Sequence, residues 1–171
     1  DIYKHAGHLY LLGIIVLVVM GVGKAIIAIN VTQWPEFSAQ FGYMVPIAAA
    51  GMLIALLLDS RLALLMVAVL SLMLGIMTGN QLRFGVVGFI GGITGVYSVS
   101  KLSQRSDLVR AGIYTSGANV VAIFIVGLVN GSPLALLITS SLVLGLINGI
   151  LSSILTIGSL PFLENTFRIT S

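Results

Sequence analysis

From Leu9 to Ile157 the sequence is a succession of apolar runs, each closed by a few polar or turn-forming residues. The runs cover 9–29, 43–58, 62–78, 84–100, 111–129 and 134–157. Between them stand NVTQWPEFSAQFG (30–42), DSR (59–61), GNQLRF (79–84), SKLSQRSDLVR (100–110) and NGSP (130–133). A soluble domain has roughly a quarter of its residues charged. Here charged residues make up 8% and hydrophobic ones 58%. Most of the exterior must therefore face lipid. The pattern predicts an all-α, polytopic membrane helix bundle with about six transmembrane helices. Several runs are shorter than the ~20 residues of a straight span, so snorkelling ends or local thinning are expected. The short connections make successive helices antiparallel neighbours.

The placement of basic residues sets the orientation. With the N-terminus inside, the cytoplasmic segments hold Lys4, Arg61, Lys101, Arg105, Arg110 and Arg168, and the outer side holds Lys24 and Arg83. Both termini are thus expected in the cytoplasm. The outer loop then carries Trp34, Phe37, Phe41 and Tyr43 as an interfacial aromatic belt. DIYKHAGH leads into an apolar run that no small-residue cleavage site closes, so it is not read as a signal peptide. The absence of an initial Met is expected of a piece of a longer chain.

Glycines recur at helix-contact spacing: Gly88 with Gly92, Gly91 with Gly95, and Gly145 with Gly149. Such pairs let another helix backbone approach closely. Asn119 and Asn148 fall inside spans, where an amide can bond across helices for about 0.5–2 kcal/mol. These eight residues are the candidates for helix packing or relay. Lys24 lies close enough to a span end to snorkel, and Pro46 suits the start of the second span.

Chemistry-bearing residues are sparse. The five carboxylates, Asp1, Glu36, Asp59, Asp107 and Glu164, are scattered, and no two share a helix face. His5 and His8 have no carboxylate beside them for a metal site. Phosphate loops, nucleophile elbows and HExxH motifs are absent. The sequence predicts no catalytic, cofactor-binding or metal residues in this chain, and the lack of Cys excludes thiolate sites. Charged connectors and the final stretch are instead candidates for coupling to a cytoplasmic domain: Asp59, Arg61, Arg105, Asp107, Arg110, Glu164, Phe167 and Arg168. Gly158 and Pro161 are expected to end the last helix. That divides the chain into a bundle, 1–157, and a juxtamembrane segment, 158–171. In that segment Leu160, Phe162, Leu163 and Phe167 would lie on the membrane surface or on the next domain.

VPIAAAGMLIALLLDSRLAL (45–64), LGIMTGN (74–80), RSDLVRAG (105–112) and LINGILSSILTIGSLPFLENTFRIT (146–170) occur in this order. Together they resemble the membrane domain of the seven-transmembrane HD phosphohydrolase family, the cyclic-di-AMP phosphodiesterases of the PgpH type. The resemblance implies a bacterial, multi-pass protein of the cytoplasmic membrane. Its own extracytoplasmic domain and cytoplasmic HD domain would be its partners beside the lipid bilayer, with a homo-oligomer as a further expectation and no nucleic acid. The HD domain would hold two metal ions of the iron or manganese type and hydrolyse cyclic-di-AMP. This chain contains no His-Asp dipeptide. It would supply the transmembrane sensor and relay. A seven-helix unit that ends inside begins outside, so one helix and an ectodomain are expected before Asp1, unless the span count is off by one. The other reading is a small-solute transporter or substrate-capture protein, with Asn119, Asn148, Thr139, Ser140 and Ser141 as its polar site.

Overall fold

A computed structural model describes residues 2–100 and 107–167, with side chains from Ala6 onward. The described residues form seven α-helices and one 3₁₀ turn, with no strand. In chain order these are α1 (Ile2–Ala28), α2 (Pro35–Ser38), the 3₁₀ turn (Phe41–Met44), α3 (Ile47–Leu57), α4 (Ser60–Met77), α5 (Leu82–Val99), α6 (Asp107–Val129) and α7 (Leu134–Phe167). Five of them, α1 and α4 to α7, are long and apolar enough to cross a membrane.

The bundle sets small polar residues within an apolar core and keeps its exterior apolar. Thr115, Asn119, Ser140, Asn148, Ser152 and Thr156 are buried, while Leu65, Leu72, Ile76, Ile113, Val121, Ile150 and Ile154 are exposed. In water this distribution would be unstable. In lipid the apolar surround carries no penalty, and small polar residues between helices allow close packing.

α3 occupies the middle, packed against α1, α4, α5 and α7. Every residue from Ile47 to Ile54 is buried. α5 packs on α3, α4 and α6, and α6 makes its largest contact with α7. Two ends can be told apart. At one, Ser60 Oγ lies 3.0 Å from Ser100 Oγ, and Ser153 Oγ donates to the Leu108 carbonyl across 3.0 Å. His8 of α1 faces Asp59 across a cleft there. The other end holds the 29–46 region and the turn between α4 and α5. Gly79 and Asn80 both adopt positive φ in that turn, which glycine and asparagine tolerate best.

Three expectations need correction. The apolar run 43–58 is not a continuous helix. Pro46 has no N–H and disfavours helical geometry at the preceding residue. Val45 is accordingly extended, and the helix starts only at Ile47. The eleven helical residues cover about 17 Å and the 3₁₀ turn before them about 8 Å, less together than the ~30 Å of a hydrocarbon core.

The last helix does not stop at Gly158 or Pro161. α7 runs on to Phe167 with Pro161 inside it. Pro161 is exposed, and Leu160 and Leu163 on either side are buried in the main core, with Phe167 packed against it. That packing offsets the backbone hydrogen bond the proline forgoes.

The aromatic belt is also not as expected. Trp34 is exposed, but Phe41 and Tyr43 are buried. The loop folds into the mouth of the bundle, where the Tyr43 and Phe84 rings meet edge to face at 4.7 Å.

Candidate functional site

The broken segment leaves carbonyl oxygens that a continuous helix would have used. In an unbroken helix the Tyr43 carbonyl would accept from the amide of Ile47. Here the Ile47 N–H turns to the Val45 carbonyl, at 2.9 Å. The side chain of Asn148, on α7, completes the set: its Nδ2 donates to the Tyr43 carbonyl at 2.7 Å and to the Val45 carbonyl at 3.0 Å. Its Oδ1 accepts from Ser152 Oγ at 3.3 Å. Bilayer interiors tolerate irregular backbone only where protein supplies such partners. Asn148 sits about 21 Å along α7 from its first residue, well inside the bundle. One buried amide therefore staples the central helix to the last one.

The mouth above the break is closed by stacked groups. Arg83 lies over the Phe84 ring at 4.6 Å and over the Tyr43 ring at 5.9 Å. The guanidinium also donates to Gln81 Oε1 at 2.7 and 3.1 Å. Gln81 Nε2 in turn donates to the Thr78 carbonyl at 2.8 Å. This ties the α4–α5 turn to the broken segment.

Below the break, α6 and α7 meet along a seam of small residues. A methyl group on Gly149 would run into Ser116 Oγ and stand 2.6 Å from the Gly112 carbonyl oxygen. One on Gly145 would lie 2.8 Å from the Val120 backbone nitrogen. Ser116 Oγ donates to the Leu146 carbonyl at 3.3 Å, and Thr156 Oγ1 to that of Ser152 at 2.8 Å. Sequence reasoning singled out the glycines but missed Ser152, Ser153 and Thr156. Asn148, Ser152 and Thr156 recur every fourth residue, and that polar stripe was the available signal.

The α5 glycines serve three neighbours. Gly88 faces Ile47 of α3, Gly92 faces Val67 of α4, and Gly95 faces Ala48 and Met52 of α3. Gly91 faces α6, directly against the Asn119 amide. Asn119 is fully buried, and among the described residues neither its Oδ1 nor its Nδ2 has a hydrogen-bond partner. Of the coupling candidates, Asp59 and Arg61 are exposed at the α3–α4 turn, and Asp107 and Arg110 stand in the first turn of α6. Glu164 is half-buried near the end of α7. Arg105 and Arg168 lie outside the described residues.

A family model described as a 7TM receptor with intracellular HD hydrolase matches residues 1–171. The chain belongs to this family. The 7TM domain is also 33% identical, over 151 residues, to the cyclic-di-AMP phosphodiesterase PgpH of Bacillus subtilis strain 168. That match covers 84% of this chain and 21% of the relative, so the 7TM domain spans about a fifth of the relative's length. No solved structure matches. Among the described residues of the 7TM domain, no three His, Cys, Asp or Glu side chains are grouped to hold a metal ion. They do not build the divalent-metal site that an HD hydrolase implies for the full-length protein.

Proposed function

We propose that this 7TM domain relays the state of its outer mouth and membrane core to an HD hydrolase on the cytoplasmic side. That hydrolase would cleave cyclic-di-AMP with two bound metal ions of the iron or manganese type. The bacterial cytoplasmic membrane would be the site of action. Both ends of the chain would face the cytoplasm, as the excess of basic residues at the α3–α4 and α5–α6 connections requires under the positive-inside rule.

The observation that carries this reading is the course of α7. It contacts the break through Asn148 and continues without interruption to Phe167. A 34-residue helix is about 51 Å long, some 20 Å more than the hydrocarbon core. A rotation or shift set at Asn148 is thereby delivered to residues 158–167. Relay needs two arrangements a few kcal/mol apart that a stimulus distinguishes, and the small-residue seam between α6 and α7 lets these helices move against each other. Asp59, Arg61, Arg105, Asp107, Arg110, Glu164 and Arg168 would form the floor on which the hydrolase rests.

Pro161 offers the test, because it is exposed and its missing N–H removes one backbone hydrogen bond from α7. Pro161→Ala stiffens α7 below Asn148. In the full-length protein in liposomes, cyclic-di-AMP turnover is expected to change by at least about fivefold, the lower bound of ordinary coupling energies. The HD portion cut from the membrane domain serves as the reference. Equal turnover of wild type, variant and released HD portion would remove the relay.

The transport reading has less support. Asn148 is committed to the break, Asn119 is closed over by Gly91, and Ser141 lines a cleft otherwise walled by apolar side chains.

A further inference from the structure

Outward grooves run between neighbouring helices at α4–α5, α5–α6 and α6–α7. Those at α4–α5 and α6–α7 are walled almost wholly by aliphatic and phenylalanine side chains, as grooves filled by acyl chains would be. The groove at α5–α6 differs. It forms a cleft of about 620 Å³ lined by Thr94, Tyr97 and Ser98 from α5 and by Asp107, Arg110 and Tyr114 from α6. That volume lies within the roughly 300–1,000 Å³ of small-molecule sites.

The lining is graded along the membrane normal. Ser98 is next to last in α5, and Asp107 and Arg110 are in the first turn of α6, so the charged groups stand at the end of the bundle. Thr94, Ile93 and Tyr114 lie a turn or more deeper. Tyr97 and Tyr114 are 63% and 55% exposed, so their rings face outward to lipid. Aromatic rings with a polar tip favour this depth. Charged groups at the surface, aromatic rings below and an apolar wall deeper still repeat the order of parts in a phospholipid.

Charge decides which phospholipid. Asp107 and Arg110 are three residues apart on one helix, which places their Cβ atoms about 5–6 Å apart. A headgroup that is only anionic meets Arg110 but is opposed by Asp107. A headgroup with both a phosphate and an ammonium satisfies the two together: the guanidinium donates to the phosphate, and the carboxylate accepts from the ammonium. The hydroxyls of Thr94 and Ser98 already donate to the carbonyls of Ile90 and Thr94, at 2.8 and 2.7 Å. Their lone pairs are left to accept, which suits an ammonium with N–H groups better than a methylated one.

We propose that the α5–α6 cleft is a site for a phospholipid with a phosphate and a primary ammonium, the phosphatidylethanolamine class. The bound lipid bridges the two helices that meet at Gly91 and Asn119, so membrane composition acts on that joint directly.

The test uses the full-length protein in nanodiscs with equal parts phosphatidylethanolamine, phosphatidylglycerol and phosphatidylcholine. After transfer to detergent, lipid retained per protein is measured by mass spectrometry. Phosphatidylethanolamine is expected to exceed each of the others by about tenfold. Arg110→Gln should lower its retention at least about fivefold. Asp107→Asn should raise phosphatidylglycerol to the level of phosphatidylethanolamine. Equal retention of the three lipids by wild type would overturn the proposal. So would a preference for phosphatidylglycerol, which marks a plain anion site, or retention that neither substitution alters.

Discussion

On α7 the Asn148 amide reaches two carbonyl oxygens of the broken segment. On α6 the Asn119 amide, equally buried, lies against Gly91 with neither polar atom hydrogen-bonded among the described residues. The residue type and the burial are the same, so the difference lies in what the neighbouring helix offers. α3 begins after a break, which presents the Tyr43 carbonyl and the second lone pair of the Val45 carbonyl. α5 is an intact helix whose carbonyls are already taken, and its glycine offers only room. A satisfied amide fixes a joint. A buried amide without a partner costs about 1–3 kcal/mol, and that cost is relieved in any arrangement that brings it a partner. The joint of α3 with α7 is thus the tight one, and that of α5 with α6 holds a reason to move.

Asn148→Leu should break this comparison most severely. It leaves the Tyr43 carbonyl without a partner, at about 1–3 kcal/mol in apolar surroundings, and takes from the Val45 carbonyl one of its two donors, at about 1 kcal/mol. A loss of about 2–4 kcal/mol is expected in equilibrium unfolding from mild detergent into denaturing detergent, and a loss below about 1 kcal/mol would mean that the break is held by other contacts. Gly149→Ala comes next. Its new methyl group meets backbone at Gly112 as well as the Ser116 side chain, and overpacking of this kind costs about 1–3 kcal/mol by the same measurement. Gly91→Ala should cost less, under about 1 kcal/mol, because only the end of the Asn119 side chain stands in the way. Asn119→Leu should differ from Asn148→Leu in sign. Removing an unpartnered buried amide while keeping its branched shape leaves stability unchanged or raises it by about 1 kcal/mol. If both asparagine variants lose the same amount, the contrast between the joints does not exist.

The long elements were readable because they depend on local pattern alone. Runs such as 62–78 and 84–100 became α4 and α5 within two residues at each end. Burial of Asn119 and Asn148 was readable for the same reason, since an amide in an apolar run has to face the interior. Which of the two finds a partner was not. The carbonyls that Asn148 meets belong to residues 103 and 105 positions away, and they turn toward it only because Pro46 breaks the helix. Pro46 looked like an ordinary helix start, since the sequence shows the proline and not the direction of the chain before it. Pro161 failed in the opposite sense. As a local signal it ends a helix, but burial of Leu160 and Leu163 on both sides of it outweighs one absent hydrogen bond. The α5–α6 cleft was half visible. Asp107 and Arg110 stood out as a charged pair, yet Tyr97 and Thr94 join them only through the packing of two helices.

The central claim is that α7 carries the state of the break to the hydrolase through Asn148. Turnover of cyclic-di-AMP by the full-length protein in liposomes, wild type against Asn148→Leu at a temperature where both stay folded, measures it directly. The account predicts a change of at least about fivefold in full-length turnover, with the released HD portion as the common reference. Turnover of Asn148→Leu equal to wild type, in a variant whose unfolding shows that the staple has been lost, would contradict it.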